Sequence, residues 1–217
     1  MQKELHWAFP HLVSYSRFVE LARDALLPLC AYLRMRDGRC TGIAFIDSTP
    51  LPVCDNRHIR SHRVFAEQAG RSQNSMGWFY GFKLHLVINE EGELLNCCLT
   101  PGNTAGALRA RRPVLSLVKG LWGKLFGDKG YISQPLFEML FAQNLHLVNK
   151  LRKKMRNQLM PWLDKLLLRK RALIETVIDQ LKNISQIEHP RHRSFVNCLV
   201  TLLAGLDGRG HGFPRLY

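Results

Sequence analysis

The sequence lacks a long apolar run, and its longest largely apolar stretch, residues 195–206, is too short to cross a lipid bilayer. We therefore expect a packing helix there and no membrane partner. The six cysteines include no C-x-x-C pair and no framework spacing, which argues against a disulfide scaffold and against a structural zinc site. We interpret them as the reduced thiols of a cytoplasmic protein.

Acidic residues are few compared with basic ones. The chain of 217 residues has 31 Lys and Arg against 17 Asp and Glu, a formal net charge of +14. This excess predicts a polyanionic partner, with nucleic acid as the first expectation. Ribosomal-type or membrane-surface binding would give the same total, so charge assigns a class of partner and no chemistry. The apolar content of 46% is enough for one sizeable core.

Apolar periodicity predicts an alternating order of strands and helices. Residues 43–46 read as a short buried strand that ends in Asp47, and residues 78–89 and 93–102 read as a hairpin. The polar segment 54–77 predicts a long loop. Further elements are predicted as a helix over 113–121, a strand over 124–127, a helix over 133–143, a strand over 145–150 and a long helix that includes 169–182. Antiparallel strands followed by βαβ units predict an α/β fold, a mixed sheet flanked by helices.

Two aspartates follow strands of this predicted sheet. Asp47 follows the first strand and Asp128 follows the strand over 124–127, so the two converge if those strands are neighbours. Each has a simpler interpretation when taken singly, because an aspartate often stabilises a turn. A helix packed across the same edge would present Glu175 to both aspartates.

Glu175 lies on a helix with one charged side. At about 100° per residue, Arg171, Glu175, Asp179 and Lys182 share one face, and apolar residues gather on the other. The simple interpretation is a solvated face with an i,i+4 pair from Arg171 to Glu175. If three carboxylates met instead, they would repel by about 4 kcal/mol per close pair and would require a cation between them. Mg²⁺ or Mn²⁺ suits such oxygen ligands, and two ions roughly 4 Å apart suit phosphoryl transfer.

An ordered set of motifs runs along most of the chain. It comprises FIDSTPLPVC at 45–54, SMGWFYGFKLHLVIN at 75–89, LTPGN at 99–103, KLFGDKGY at 124–131, and the spacing R-x3-E-x6-K of Arg171, Glu175 and Lys182. Over roughly residues 1–205 this set resembles the DDE transposases of bacterial insertion sequences, most closely the family numbered nine-eight-two. The set is more specific than any one of its motifs.

The resemblance implies a fold, a site and a cofactor. It implies a ribonuclease H-like core in which Asp47, Asp128 and Glu175 bind two Mg²⁺ or Mn²⁺ ions. It also implies that Arg171 and Lys182 steady a DNA phosphate. The motif spacing favours Glu175 over Asp179 as the third acid, which leaves Asp179 as a solvated or supporting residue.

The resemblance further implies a division of the chain and a function. We expect a helical remnant of an N-terminal region over 1–40, a catalytic domain over 41–205 and a divergent tail over 206–217, with the chain truncated at its N-terminus. The implied function is cleavage of double-stranded DNA at element ends and strand transfer into target DNA, in a bacterial cytoplasm near the nucleoid and with a homodimer as a possible form. An inactive fragment that only binds DNA and a stand-alone metal-dependent nuclease stay open as alternatives.

Some side chains outside the three acids are also candidates. The segment RHIRSHR at 57–63 places Arg57, Arg60 and Arg63 close together, as either a DNA-contacting loop or a solvated one. Trp78 and Trp122 lie beside apolar runs, so we expect them in the core rather than as platforms for stacked bases.

Overall fold

The structure is a computed structural model that describes residues 11–74, 77–104, 111–131, 133–149, 160–188 and 193–212. Its strands are β1 (Ile43–Cys54), β2 (Gly70–Asn74), β3 (Gly77–Asn89), β4 (Leu94–Pro101), β5 (Gly123–Gly127) and β6 (Leu145–Asn149). Its helices are α1 (Tyr15–Asp24), α2 (Leu26–Met35), α3 (Arg111–Leu117), α4 (Gln134–Phe141), α5 (Trp162–Lys170), α6 (Ala172–Asn183) and α7 (Phe195–Gly212).

The strands form one mixed sheet in the order β2-β3-β1-β5-β6, with β4 also paired to β3. β3 lies antiparallel to β1 and to β4, which confirms the predicted hairpin. β5 lies parallel to β1, and β6 lies parallel to β5. An antiparallel meander that continues into parallel βαβ units is the predicted ribonuclease H-like arrangement, so the α/β fold class is confirmed.

Helices cover both faces of the sheet. Leu168, Ile174 and Leu202 from α5, α6 and α7 pack with Phe45 of β1 on one face. On the other face Ala44 and Ile46 pack with α3 and α4. Adjacent β1 residues enter opposite cores because successive side chains on a strand point to opposite faces. We call the face that carries Phe45 and α6 the α6 face.

Two of the predicted boundaries near β1 are wrong. β1 does not end at Asp47 but continues to Cys54, and part of the predicted 54–77 loop forms β2. Residues Ala44–Cys54 of β1 stay paired with β3, whereas β5 pairs only with Ile43–Phe45. Prolines are tolerated in the second half of β1 because its edge on the β5 side needs no donor there.

The long helix predicted around Glu175 is divided at Arg171, which separates α5 from α6. α6 buries Ile174, Val177, Ile178 and Leu181, so most of the predicted apolar side is in the core. The packing helix predicted over 195–206 is confirmed as part of α7, which runs past the predicted domain boundary at 206 to Gly212. Among the described residues, no helix combines the length and hydropathy of a membrane span.

The two tryptophans expected in the core are not there. Trp78 at the outer end of β3 is 53% exposed, and Trp122 before β5 is 55% exposed. The expectation was wrong because a neighbouring apolar run does not show whether a helix covers the end of the strand. All six cysteines are free thiols, as the sequence predicts.

A buried histidine makes the stability of this fold depend on pH. His85 of β3 is 4% exposed, and its Nε2 lies 3.1 Å from the Thr100 hydroxyl. Burial, with a smaller contribution from Lys83, lowers the pKa of His85 to about 4. The unfolded chain takes up this proton near pH 6.5, while the folded chain takes it up near pH 4. Stability is therefore lost as the pH falls through this window.

We expect the His85 contribution to lower the free energy of unfolding by about 3 kcal/mol between pH 6.5 and pH 4. Urea unfolding of the wild type and of His85→Gln across that range measures it. The difference in stability between the two proteins should change in this window and stay constant above pH 7. If the stabilities of the two proteins changed in parallel at all pH values, His85 would have the same pKa in the folded and the unfolded chain.

Candidate active site

Asp47 on β1 and Asp128, the residue that follows β5, belong to two neighbouring parallel strand segments. Phe45 of β1 is in register with Phe126 of β5, and each aspartate comes two residues after its phenylalanine. Asp47 shares the α6 face with Phe45 because side chains on a strand repeat every second residue. The neighbouring strands that the sequence reasoning required are therefore present, although Asp47 lies inside β1 rather than at its end.

Two donors hold the carboxylate of Asp47. The backbone N–H of Ser48 donates to Oδ1 at 2.8 Å. The Arg171 guanidinium donates to Oδ2 at 3.4 Å. The side chain of Asp47 is 21% exposed, so both contacts are partly shielded from water. This carboxylate is held in one orientation before any ligand arrives.

The same guanidinium also binds Glu175. Nη2 of Arg171 donates to Oε1 of Glu175 at 2.6 Å. Arg171 is 15% exposed and Glu175 57%, so a largely buried cation joins two carboxylates from different elements. Glu175 lies in the first turn of α6, where the helix dipole favours a negative charge. The i,i+4 pair that the sequence offered as a surface contact is thus part of a three-residue bridge from α6 to β1.

Electrostatic coupling links all three predicted acids. Burial raises the pKa of Asp47, and the negative charges of Asp128 and Glu175 raise it further. The Ser48 N–H and Arg171 act in the opposite direction. Asp128 itself is exposed at the end of β5. Asp47 is therefore the shielded member of the group, and the other two acids face solvent.

These residues suit a divalent metal in chemistry but are not assembled around one. Carboxylate oxygens are the ligands that Mg²⁺ and Mn²⁺ prefer. However, among the described residues no three His, Cys, Asp or Glu side chains are arranged to hold a metal ion. Arg171 lies between Asp47 and Glu175 and supplies the positive charge that the acids require. A metal ion bound by both Asp47 and Glu175 would compete with this guanidinium.

Tyr131 is a residue of this site that sequence reasoning missed. It ends a short 3-10 turn after Asp128, is 8% exposed, and its N–H donates to the Asp128 carbonyl at 3.0 Å. Its hydroxyl lies near Ser48 with no hydrogen bond of standard geometry. Burial, together with the charges of Asp47 and Asp128, raises its pKa, so the phenol stays neutral. The sequence Asp-Lys-Gly-Tyr at 128–131 could have indicated this residue, because a turn directly after Asp128 keeps Tyr131 close to that aspartate.

The other charged residues of α6 have partners of their own. Lys182 forms an ion pair with Glu188. Asp179, the rejected alternative for the third acid, accepts a hydrogen bond from Asn183 at 2.8 Å. Neither residue joins the Arg171 bridge. Contact of Arg171 and Lys182 with a DNA phosphate stays a prediction.

The basic segment 57–63 is folded against the core. Ile59 and Phe65 pack on the α6 face of the sheet, while Arg60 and Arg63 are exposed. Arg57 pairs with Asp55, with Nε and Oδ1 3.2 Å apart. The packing of Ile59 therefore anchors the segment, and its exposed arginines point toward solvent. Its contact with DNA stays a prediction.

Comparison with solved structures gives several weak likenesses to transposases and integrases. One is a piggyBac transposase in a synaptic complex with hairpin DNA, at 11% identity and a TM-score of 0.49 over 78% of this chain and 46% of that one. The catalytic core domain of BIV integrase has 9% identity and a TM-score of 0.45 over 80% and 86% of the two chains. The catalytic domain of Mos1 mariner transposase has 14% identity and a TM-score of 0.32 over 94% and 98%. This chain thus spans less than half of the piggyBac chain.

Comparison with sequences gives a clearer result. A search of curated proteins found no match. In contrast, the family model described as "Transposase DDE domain" matches residues 37–195, well over half of the chain. That range contains the three acids, the sheet from β1 to β6 and the helix that carries Glu175. The chain therefore belongs to the DDE-domain transposase family.

Proposed function

We propose that this chain is the catalytic core of a bacterial insertion-sequence transposase that cleaves DNA at the element ends and joins the freed 3′ hydroxyl to target DNA. The observation that carries the proposal is the convergence of three carboxylates, because Asp47 on β1 is electrostatically coupled to both Asp128 and Glu175. Family membership supports it independently.

In this proposal Asp47, Asp128 and Glu175 hold two Mg²⁺ or Mn²⁺ ions. When bound, such ions supply an activated nucleophile and neutralise the charge that develops on the transferring phosphate. The Ser48 N–H orients one oxygen of Asp47, and buried Tyr131 supports the turn that follows Asp128. Arg171 and Lys182 hold DNA phosphates, and the exposed Arg60 and Arg63 extend the basic surface. Two copies of the chain would pair the two ends of the element.

Reaction products test the proposal. The full chain is incubated with Mg²⁺ or Mn²⁺ and with labelled duplex DNA that carries one end of the insertion sequence next to its gene. Joined strands are the expected product. Nicked strands without joining would instead indicate a stand-alone nuclease, and binding with neither product would rule out the catalytic proposal.

A DNA-binding chain without catalysis is the second candidate, and one observation favours it. Arg171 lies between two of the acids, and the described residues contain no assembled ligand set. If the guanidinium cannot be displaced, the net charge of +14 would still attract DNA. The affinity for metal separates this candidate from the first.

We expect Arg171→Ala to bind Mn²⁺ at least about tenfold more tightly than the wild type, because it removes a competing positive charge next to Asp47 and Glu175. Isothermal titration of the DNA-free protein measures this. Lys182→Ala is the matched control: it removes one positive charge from α6, but one that pairs with Glu188. Its Mn²⁺ affinity should stay close to the wild-type value. Weaker binding in Arg171→Ala would show that the guanidinium positions the acids instead of competing with the ion.

A further inference from the structure

Trp78 combines large exposure with a fixed orientation. It is 53% exposed, and the Arg71 guanidinium carbon lies 4.7 Å from its ring centroid. A cation that covers an indole ring fixes the ring and leaves a flat, polarised surface toward solvent. An exposed indole ring offers a large apolar area that a flat ligand can cover on contact.

The pair is built into the sheet. Gln73 of β2 lies opposite Trp78 of β3, and Arg71 lies opposite Tyr80, so Arg71 and Trp78 are diagonal neighbours on one face. The carbonyl of Trp78 accepts a hydrogen bond from Asn56 Nδ2 at 2.6 Å. This bond ties the start of β3 to Asn56, the residue before the basic segment. Strand pairing and this bond therefore hold the backbone of Trp78, and the Arg71 guanidinium contacts its ring.

The pair lies on the same face of the sheet as the candidate active site. Trp78 shares its side of β3 with Tyr80 and Phe82, which pack in the core of the α6 face. Asp47 is on this face too, opposite Leu86 of β3. Trp78 comes eight residues before Leu86, so the indole is roughly 27 Å from the acids along the strand. β5 pairs with β1 only over Ile43–Phe45, so the part of β1 after Asp47 and the part of β3 paired with it extend beyond the end of β5.

The pair itself carries a positive charge and is joined through Asn56 to the basic segment. Arg71 is exposed, and the basic segment that begins beside Asn56 presents Arg60 and Arg63 to solvent. A ligand that suits this surface has both a flat aromatic group and negative charge. Paired bases in a duplex keep their faces covered by stacking, whereas an unpaired nucleotide offers a free base and a phosphate together.

We propose that Arg71 and Trp78 form a stacking site for an unpaired DNA base, distinct from the acids and about eight base-pair steps away from them. The inference rests on the proposed DNA substrate, and it names a feature of that substrate: single-stranded character beside the duplex. One face of the Trp78 indole stacks on the base, and Arg71 contacts the opposite face of the ring. Arg60 and Arg63 attract the phosphates of the same DNA strand.

The test is a binding measurement that needs no cleavage. Fluorescence anisotropy of the full chain, without divalent metal, compares a blunt duplex with the same duplex carrying a single-stranded overhang of about ten thymidines. The wild type should bind the overhang probe about tenfold more tightly, as expected for base stacking on an aromatic side chain. Trp78→Ala should lose this preference while its affinity for the blunt duplex stays within about twofold. Trp78→Phe should retain part of the preference, which also guards against misfolding of the alanine variant.

Trp122→Phe and Trp122→Ala are the matched controls, because Trp122 is 55% exposed but lies before β5, at the other end of the sheet. Both should keep the overhang preference. Equal effects of the two tryptophans, or equal loss of both probes in Trp78→Ala, would overturn the inference. Binding of the blunt duplex without any overhang preference in the wild type would reject this inference alone. Failure to bind either probe would reject the proposed DNA substrate as well.

Discussion

Replacing Glu175 by Gln is expected to lower metal-dependent DNA cleavage at least about a hundredfold, while DNA affinity stays within about twofold. The substitution keeps the size of the side chain and removes one negative charge from the group that includes Asp47 and Asp128. A cation held by carboxylates supplies several kcal/mol to phosphoryl transfer, and each 1.36 kcal/mol corresponds to about tenfold in rate. DNA affinity depends on Lys and Arg and is therefore spared.

Asp179→Asn is the matched control for this experiment. Asp179 lies one turn beyond Glu175 on the same helix and also carries a carboxylate, but it bonds to Asn183 and takes no part in the Arg171 bridge. Cleavage by Asp179→Asn should remain within about threefold of the wild type. Full cleavage by Glu175→Gln would reject Glu175 as the third acid, and loss of activity in Asp179→Asn alone would transfer that role to Asp179. The assay uses end-labelled DNA with Mg²⁺ and with Mn²⁺.

Replacing Phe126 by Ala is expected to lower the free energy of unfolding by about 3–5 kcal/mol, the usual cost of deleting a buried phenylalanine ring. Phe126 is 0% exposed, and its ring centroid lies 5.7 Å from that of Phe45. The two residues are in register two positions before Asp128 and Asp47. A loss of this size removes a large part of the 5–15 kcal/mol that stabilises a typical domain. Urea unfolding followed by circular dichroism measures it.

Phe141→Ala provides the comparison for the stability measurement. Phe141 ends α4, is 54% exposed, and packs edge-on against His146. Its replacement should cost less than about 1 kcal/mol, because its ring is already largely in water. If Phe126→Ala lost as little stability as Phe141→Ala is expected to lose, Phe126 would not be at the centre of the core. The packing between β1 and β5 would then contribute less than the structure indicates.

Local patterns predicted much of the fold. The hairpin predicted over 78–89 and 93–102 corresponds to β3 and β4, and the strands β5 and β6 were placed within one residue of their observed starts. Such elements are readable because the residues that define them are neighbours in the chain. The predicted end of the first strand at Asp47 was wrong because the prolines that follow suggest a break, whereas β1 continues to Cys54. The predicted continuous helix was wrong because the charged residues around Arg171 do not show that α5 and α6 separate there.

Sequence by itself determined the class of this protein. The order of motifs, which includes the three acids, indicates a DDE transposase, and the family match over residues 37–195 agrees. The excess of basic residues indicates a polyanionic partner. These properties are linear, because they depend on which residue types occur and in what order. No knowledge of which strands are neighbours was needed for them.

Tertiary structure alone decided how these residues meet. It showed that β1 and β5 are adjacent and parallel, and that Tyr131 is buried near Asp47. It also showed that Arg171, which binds Glu175, reaches Asp47 across 124 residues of chain. It also showed that Trp78 faces solvent over Arg71. The physical reason is burial: a side chain's neighbours and its exposure depend on which distant elements cover it, and local periodicity carries no information about that cover.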